Sequence, residues 1–211
     1  NHHSQTVRNA GATSKEASLI TNFYSPPALA PPPAVEQALI DSNRISTTLK
    51  VETIVKSHTS GAELSRATHV TKFKSWGNNI IAPELLQTSY NSAPLDTETR
   101  FFSYDAYGNP TEAAAKNGIH IAYLWGYGGQ YPVAKVSGSD YNTVKGFINQ
   151  TMLDNAFSYT DEQIRTELNK IRIGLAGQSA QVTTYTYSSL LGMTSETDPS
   201  GKTTYYEYDS F

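Results

Sequence analysis

The sequence predicts a mainly β protein: an antiparallel meander of β-hairpins forming a curved sheet, interrupted by a helical insert at about 140–172. Three observations predict it. A short phrase recurs, Gly118-x4-Tyr123-x-Trp125 and Gly201-x4-Tyr206-x-Tyr208, in which two aromatic side chains two positions apart face one side of a strand. The distances repeat, since Tyr104 to Trp125, Gly108 to Gly129 and Tyr187 to Tyr208 are each 21 positions. A fixed period of that length marks a repeat architecture, and it leaves room for about two strands of roughly 5–6 residues. Between two such blocks, Tyr141, Val144, Phe147, Ile148 and Met152, then Ile164, Leu168 and Ile171, fall at helical spacing.

In chain order, residues 1–15 are small and polar and are expected to be poorly ordered. Residues 16–24 suit a short helix or a strand equally. The stretch 25–33 holds five of the ten prolines and reads as a stiff, extended connector or as a ligand for a proline-recognising domain. Residues 34–40 suit one or two helical turns begun by Pro33. These 43 residues are expected to form an N-terminal segment, with the hairpin domain running from 44 to 211.

From residue 44 to 56, Ile45, Thr47, Leu49, Val51, Thr53 and Val55 alternate with Ser46, Thr48, Lys50, Glu52 and Lys56, predicting a strand with one apolar and one wet face. A turn at 57–61, a strand at 64–74, a turn at Gly77-Asn78-Asn79 and a third strand at 80–89 follow. Pro83 in that third strand points to an edge or a bulge. Residues 91–97 read as loop, and the repeat region begins at 98. Residues 111–136 supply two strands, centred on Ala122 and Val133. The insert has a capping-box start at Thr160 with Gln163, and its apolar stripe is expected to lie on the sheet. From Gln181 the hairpins resume.

Composition excludes several classes. The 211 residues carry a formal net charge of −3 and 17% charged residues, neither a nucleic-acid-binding surface nor an acidic tail. There is no cysteine, hence no disulfide or thiolate metal site, and no apolar run long enough for a membrane-spanning helix. His2, His3, His58, His69 and His120 show no metal-ligand spacing. No nucleophile elbow, phosphate-binding loop or calcium loop occurs, so neither a catalytic residue, a cofactor nor a metal is expected. Asp105 and Asp209 read as strand-end carboxylates that accept backbone N–H groups and set a turn. Gly126-Tyr127-Gly128-Gly129 reads as a tight hairpin turn. Trp76, Trp125, Tyr127 and Tyr131 are the aromatics that partial exposure would make available, and of these Trp125, Tyr127 and Tyr131 are the candidate ligand-binding residues, by stacking on a sugar face; sheet packing is the competing use of the same rings.

Tyr104-Asp105-x-x-Gly108-Asn109 and Gly201-x4-Tyr206-x-Tyr208-Asp209 resemble the YD repeats of Rhs proteins, over residues 98–136 and 181–211. The repeat-motif positions are Tyr104, Asp105, Gly108, Gly118, Tyr123, Gly129, Tyr187, Gly201, Tyr206, Tyr208 and Asp209. Trp125-Gly126 replaces the Tyr-Asp pair, Ser188 replaces the Asp, and Gly192 lies one residue late. The resemblance implies a non-enzymatic structural segment of a large secreted or bacterial cell-surface protein. Its hairpins would contribute wall to a β-shell that encapsulates or presents a C-terminal effector, often a toxin. Its partners would be further YD repeats of the same chain and that effector. The alternative is a cell-surface module that binds carbohydrate or protein through exposed aromatics. The chain begins at Asn1 and ends where the pattern expects another glycine, so it reads as a piece of a longer protein from which targeting information is missing.

Overall fold

The computed structural model describes residues 2–8, 17–26, 33–57, 59–189 and 191–209. Among them are twelve strands in an open antiparallel meander, with strand order equal to chain order. They are β1 (His2–Arg8), β2 (Ala17–Tyr24), β3 (Lys50–Ser57), β4 (Glu63–Ser75), β5 (Ile81–Tyr90), β6 (Asp96–Tyr104), β7 (Pro110–Ala115), β8 (His120–Gly126), β9 (Tyr131–Ser137), β10 (Gln181–Ser188), β11 (Gly192–Thr197) and β12 (Thr203–Tyr205). The helices are α1 (Ala34–Asp41), α2 (Tyr141–Lys145), α3 (Gln150–Asp154) and α4 (Asp161–Gly174). The expected mainly β meander with a helical insert is what is observed. By packing, the chain divides into two compact units, Asn1–Phe101 and Phe102–Phe211.

In the first unit, residues 17–24 resolve the helix-or-strand ambiguity as β2, which pairs residue by residue with β3 from Ala17↔Ser57 to Tyr24↔Lys50. Residues 2–8, expected to be poorly ordered, form β1 on the other side of β2. The proline-rich stretch lies largely outside the described residues, and so does His58. Helix α1 starts directly after Pro33, whose carbonyl accepts the Gln37 N–H, and it buries Leu39 completely. Pro83 sits at a bulge, as anticipated: β4 pairs Lys72 with Leu85 and Phe73 with Pro83, leaving Glu84 as the extra residue.

The strand predicted over 44–56 is corrected in extent and in face. It begins only at Lys50, and the side chains it buries are Glu52 and Ile54, not the odd-numbered set. A carboxylate is tolerated there because it is fully engaged. The Tyr24 hydroxyl donates to Glu52 Oε2 at 2.7 Å, Lys50 Nζ lies 2.9 Å and Arg66 Nη1 3.1 Å from Oε1. Burial alone raises the carboxyl pKa, but the tyrosine hydrogen bond and the two cations outweigh it and hold Glu52 below the usual carboxylate range. Hydrophobic alternation cannot announce a buried acid whose partners come from two other strands.

The second unit is built on a β-layer covered by the insert. On β8 the alternation puts Ala122, Leu124 and Gly126 inward. On β9 a bulge opposite Trp125 leaves Val133 as an extra residue, so that Val133, Ala134 and Val136 are all buried. Against these pack Val144 of α2, Leu153 of α3, and Ile164, Leu168, Ile171 and Leu175 of α4 and its C-terminus, in one continuous core with Val182 and Tyr187. The apolar stripe therefore lies on the sheet, as its spacing implied. Thr160 and Gln163 close the anticipated capping box, and Asp140 and Asn149 cap α2 and α3. Glu167 ties the helices together, accepting the Asn149 N–H at 2.7 Å while Lys170 Nζ sits 2.6 Å from its other oxygen.

Leu168 is wholly buried at the centre of this layer. Leu168→Ala is expected to lower unfolding free energy by about 2–5 kcal/mol, measured by urea denaturation, through lost transfer energy and a residual cavity.

Candidate functional site

The repeat phrase builds one kind of turn at three places. The N–H groups of Gly108, Gly118 and Gly201 each donate to the carbonyl three residues back, on Asp105, Ala115 and Asp198, at 3.2, 2.8 and 2.9 Å. Gly108 and Gly201 share φ values of 87° and 85°, a left-handed conformation that side-chain-bearing residues adopt at a cost. At two of the turns an aspartate adds a second set of bonds. Asp105 Oδ1 accepts the N–H groups of Tyr107 and Asn109 at 2.9 and 2.8 Å, and Asp198 Oδ1 accepts the Lys202 N–H at 3.0 Å and the Ser200 hydroxyl at 2.6 Å. The Ser200 and Lys202 bonds hold the half-buried Asp198 carboxyl below its ordinary pKa.

The strand-end role assigned to aspartate is thus seen at Asp105. At the C-terminal copy it falls to Asp198, whereas Asp209 is exposed and outside any strand. The shared Asp-x-x-Gly spacing of 105–108 and 198–201 was the signal that identifies Asp198. Tyr206 and Tyr208, expected to lie on a strand, follow β12 and are exposed; the Tyr206 N–H bonds to the Thr194 carbonyl and the Tyr208 hydroxyl to the Met193 carbonyl at 2.7 Å.

The residues on either side of Gly108 meet Gly129, 21 positions further on. The Asn109 side chain donates to the Gly129 carbonyl at 2.8 Å, and a Cβ on Gly129 would collide with the Tyr107 ring. Only glycine lets the ring of one hairpin end rest on the next.

The three ligand-binding candidates separate. Tyr127, expected to be partly exposed, is 2% exposed: at φ 55° its backbone turns the ring inward, against Phe157, Tyr131 and Tyr187. Its N–H donates to the Leu153 carbonyl at 2.7 Å, and its hydroxyl oxygen accepts the Tyr187 N–H at 2.9 Å. Tyr131 is half-buried and stacked on Tyr187 with 4.6 Å between centroids. Trp125 is half-buried with its indole N–H on the Pro110 carbonyl at 2.9 Å. The strand predicted to carry Tyr123 and Trp125 is β8, and Tyr104 closes β6. Tyr104 and Tyr187 are both pushed up to about 12 by burial.

Trp125 also lines a depression of about 180 Å³ with Asp105, Tyr107, Tyr141, Lys145 and Asp154. An unforeseen His–acid pair lies elsewhere on the unit: His120 Nδ1 is 2.6 Å from Glu112 Oε1, with Phe102 stacked on the imidazole and the Tyr141 N–H on the other carboxylate oxygen. The pair crosses from β7 to β8, so no sequence spacing reveals it. Glu112 thereby anchors the start of α2. Among the described residues no group of three or more His, Asp or Glu could hold a metal ion. No helix among them is long and apolar enough to cross a membrane.

Comparison with known proteins adds no relative: no family model, curated protein or solved structure matches the chain.

Tyr127→Phe is expected to cost about 1–3 kcal/mol in urea unfolding, because it strands the buried Tyr187 N–H. In an alkaline titration followed by tyrosinate absorbance, Tyr104 and Tyr187 should supply a late component near 12. Because the folded pKa of these two is raised, the unfolded chain loses their protons first. Stability is retained below the unfolded value and falls as pH rises through the window up to about 12. Thermal melts across that window check the sign.

Proposed function

We propose that the chain is a non-enzymatic structural segment of a larger secreted or cell-surface protein of the Rhs type, supplying consecutive hairpins to the wall of a β-shell that encloses or presents a C-terminal effector. The observation that carries this reading is the open meander in which each strand bonds to the next in the chain, with one turn design at 105–109, 115–119 and 198–202. Such a layout can be extended by repetition, since each hairpin offers its outer strand to the following one. The packing of aromatic rings supports it too: the candidate binding residues Tyr127 and Tyr131 pack on each other and on the repeat residue Tyr187.

The outer strand of that layout is β12. The Tyr206 N–H bonds to Thr194, so by alternation the N–H groups of Thr203 and Tyr205 point away from β11. An outer edge of this kind is a template for another strand.

A second reading, a carbohydrate-binding module, is favoured by one observation: the depression that gathers Trp125, Tyr107 and Tyr141 around two carboxylates and Lys145. Titration of oligosaccharides against tryptophan fluorescence separates the two readings. The wall reading expects no saturable change; a saturable change abolished in Trp125→Phe supports the module.

Sedimentation velocity across a hundredfold range of concentration tests the wall reading directly. Reversible association is expected for the native chain, with Tyr205→Pro held at monomer because it removes an outward N–H and bars strand addition. A native chain that stays monomeric throughout counts against a wall segment.

A further inference from the structure

Helix α4 covers β10 with its apolar face, and its next face borders a polar cleft of about 500 Å³ over β10, β11 and β12. Arg165, Asn169 and Arg172 line it from the helix, at the i, i+4, i+7 spacing of a single stripe. Thr184, Thr197 and Thr203 line it from the strands, and their hydroxyl-bearing side chains make it unsuited to an apolar ligand.

The hydrogen bonds given by the two arginines go to neutral acceptors. Arg172 is half-buried and spends Nη2 on the carbonyls of Val182 and Asp198, at 2.8 and 2.6 Å. Its Nε is buried and has no hydrogen-bond partner. Desolvation lowers its pKa, against a weaker pull upward from Asp198. Arg165 donates to the Ser195 hydroxyl at 3.3 Å and lies over the Tyr205 ring at 5.1 Å. Among the described residues neither arginine has a carboxylate within ion-pairing distance. Of the acids beside the cleft, Asp198 is bound to Ser200 and Lys202, and Glu162 lines the rim from the first turn of α4, exposed to solvent.

Removing a cation from water is costly unless an anion or an acceptor compensates, and a guanidinium fork is shaped for a planar or tetrahedral oxyanion. We propose that the cleft between α4 and β10–β12 binds an oxyanion group, a carboxylate or a phosphate or sulfate, with Arg165 and Arg172 as the charged clamp and the threonine hydroxyls as further donors. The site is independent of whether the chain is a wall segment. In either setting it gives this face of the sheet a specific contact for an anionic group of another molecule or another part of the parent chain.

The test is an NMR titration of the ¹⁵N-labelled protein with inorganic phosphate, sulfate and succinate in turn, at constant ionic strength set with sodium chloride, following the arginine Nε–Hε resonances. A saturable shift of the Arg165 and Arg172 signals with at least one probe is expected. Arg165→Met should weaken that binding by about tenfold or more, the loss of one charge-assisted contact, with the backbone spectrum otherwise preserved. Saturation by phosphate or sulfate alone assigns a tetrahedral group; saturation by succinate alone assigns a carboxylate. Arg172→Met removes the donor to two carbonyls and can fail to fold, so the decision rests on Arg165→Met and on Arg165→Lys, which keeps charge but loses the fork and should bind at an intermediate level. Linear, non-saturating shifts for all three probes, or saturable binding unchanged in Arg165→Met, would overturn the proposal.

Discussion

The second unit depends on a single side chain in an unfavourable backbone conformation. Tyr127 occupies the left-handed region at φ 55°, which costs a residue with a Cβ about 1–2 kcal/mol. That cost is offset because the conformation does three things at once. It turns the β8–β9 hairpin, it drives the ring between Phe157 of the insert and Tyr131 and Tyr187 of the strands, and it aims the phenol oxygen at the Tyr187 N–H. The Tyr127 N–H meanwhile holds the Leu153 carbonyl. One residue thereby joins the hairpin, the insert and β10, which are separated by tens of residues in the chain.

That junction explains how a helical insert can interrupt a meander without ending it. The chain leaves β9 at Ser137 and returns as β10 against that same strand, with Gln181 opposite Ser137 and Val182 opposite Val136. The insert is a long detour whose two ends are neighbours on adjacent strands. It earns its place by covering small and β-branched residues on β8, β9 and β10 that a single sheet layer would leave in water.

The first unit solves burial differently. Among its described residues the wholly buried apolar side chains include Leu39 of α1 and Pro26, and its strands are mostly half-buried, with Glu52 and Gln87 among the buried side chains. Glu52 is held by Tyr24 on β2 and Arg66 on β4, so three successive strands are registered by one carboxylate. A polar tie of this kind specifies alignment as well as contributing energy, because a one-residue slip of β3 would turn Glu52 to the other face and separate it from Tyr24 and Arg66.

The sequence by itself determined the class and much of the local structure. Period-2 aromatics and regularly placed glycine turns imply hairpins, the capping box at Thr160 and the stripe at Ile164, Leu168 and Ile171 imply α4, and Pro83 implies an edge or a bulge, since each rests on forces acting within a few residues. Asp105 was legible as a turn-setting acid for the same reason. What only the tertiary structure decided involves partners far apart in the chain. Tyr127 is a core residue and not an exposed ring, because its backbone φ and its contacts with Phe157 and Tyr187 are set by the packed insert. Glu52 is buried because Tyr24, Lys50 and Arg66 surround it. His120 meets Glu112, and Arg165 and Arg172 share a cleft with strands β10 to β12, through pairings and packing that no spacing records. Local propensity is written residue by residue; the juxtaposition of charges and rings is fixed only when strands and helices have found their register.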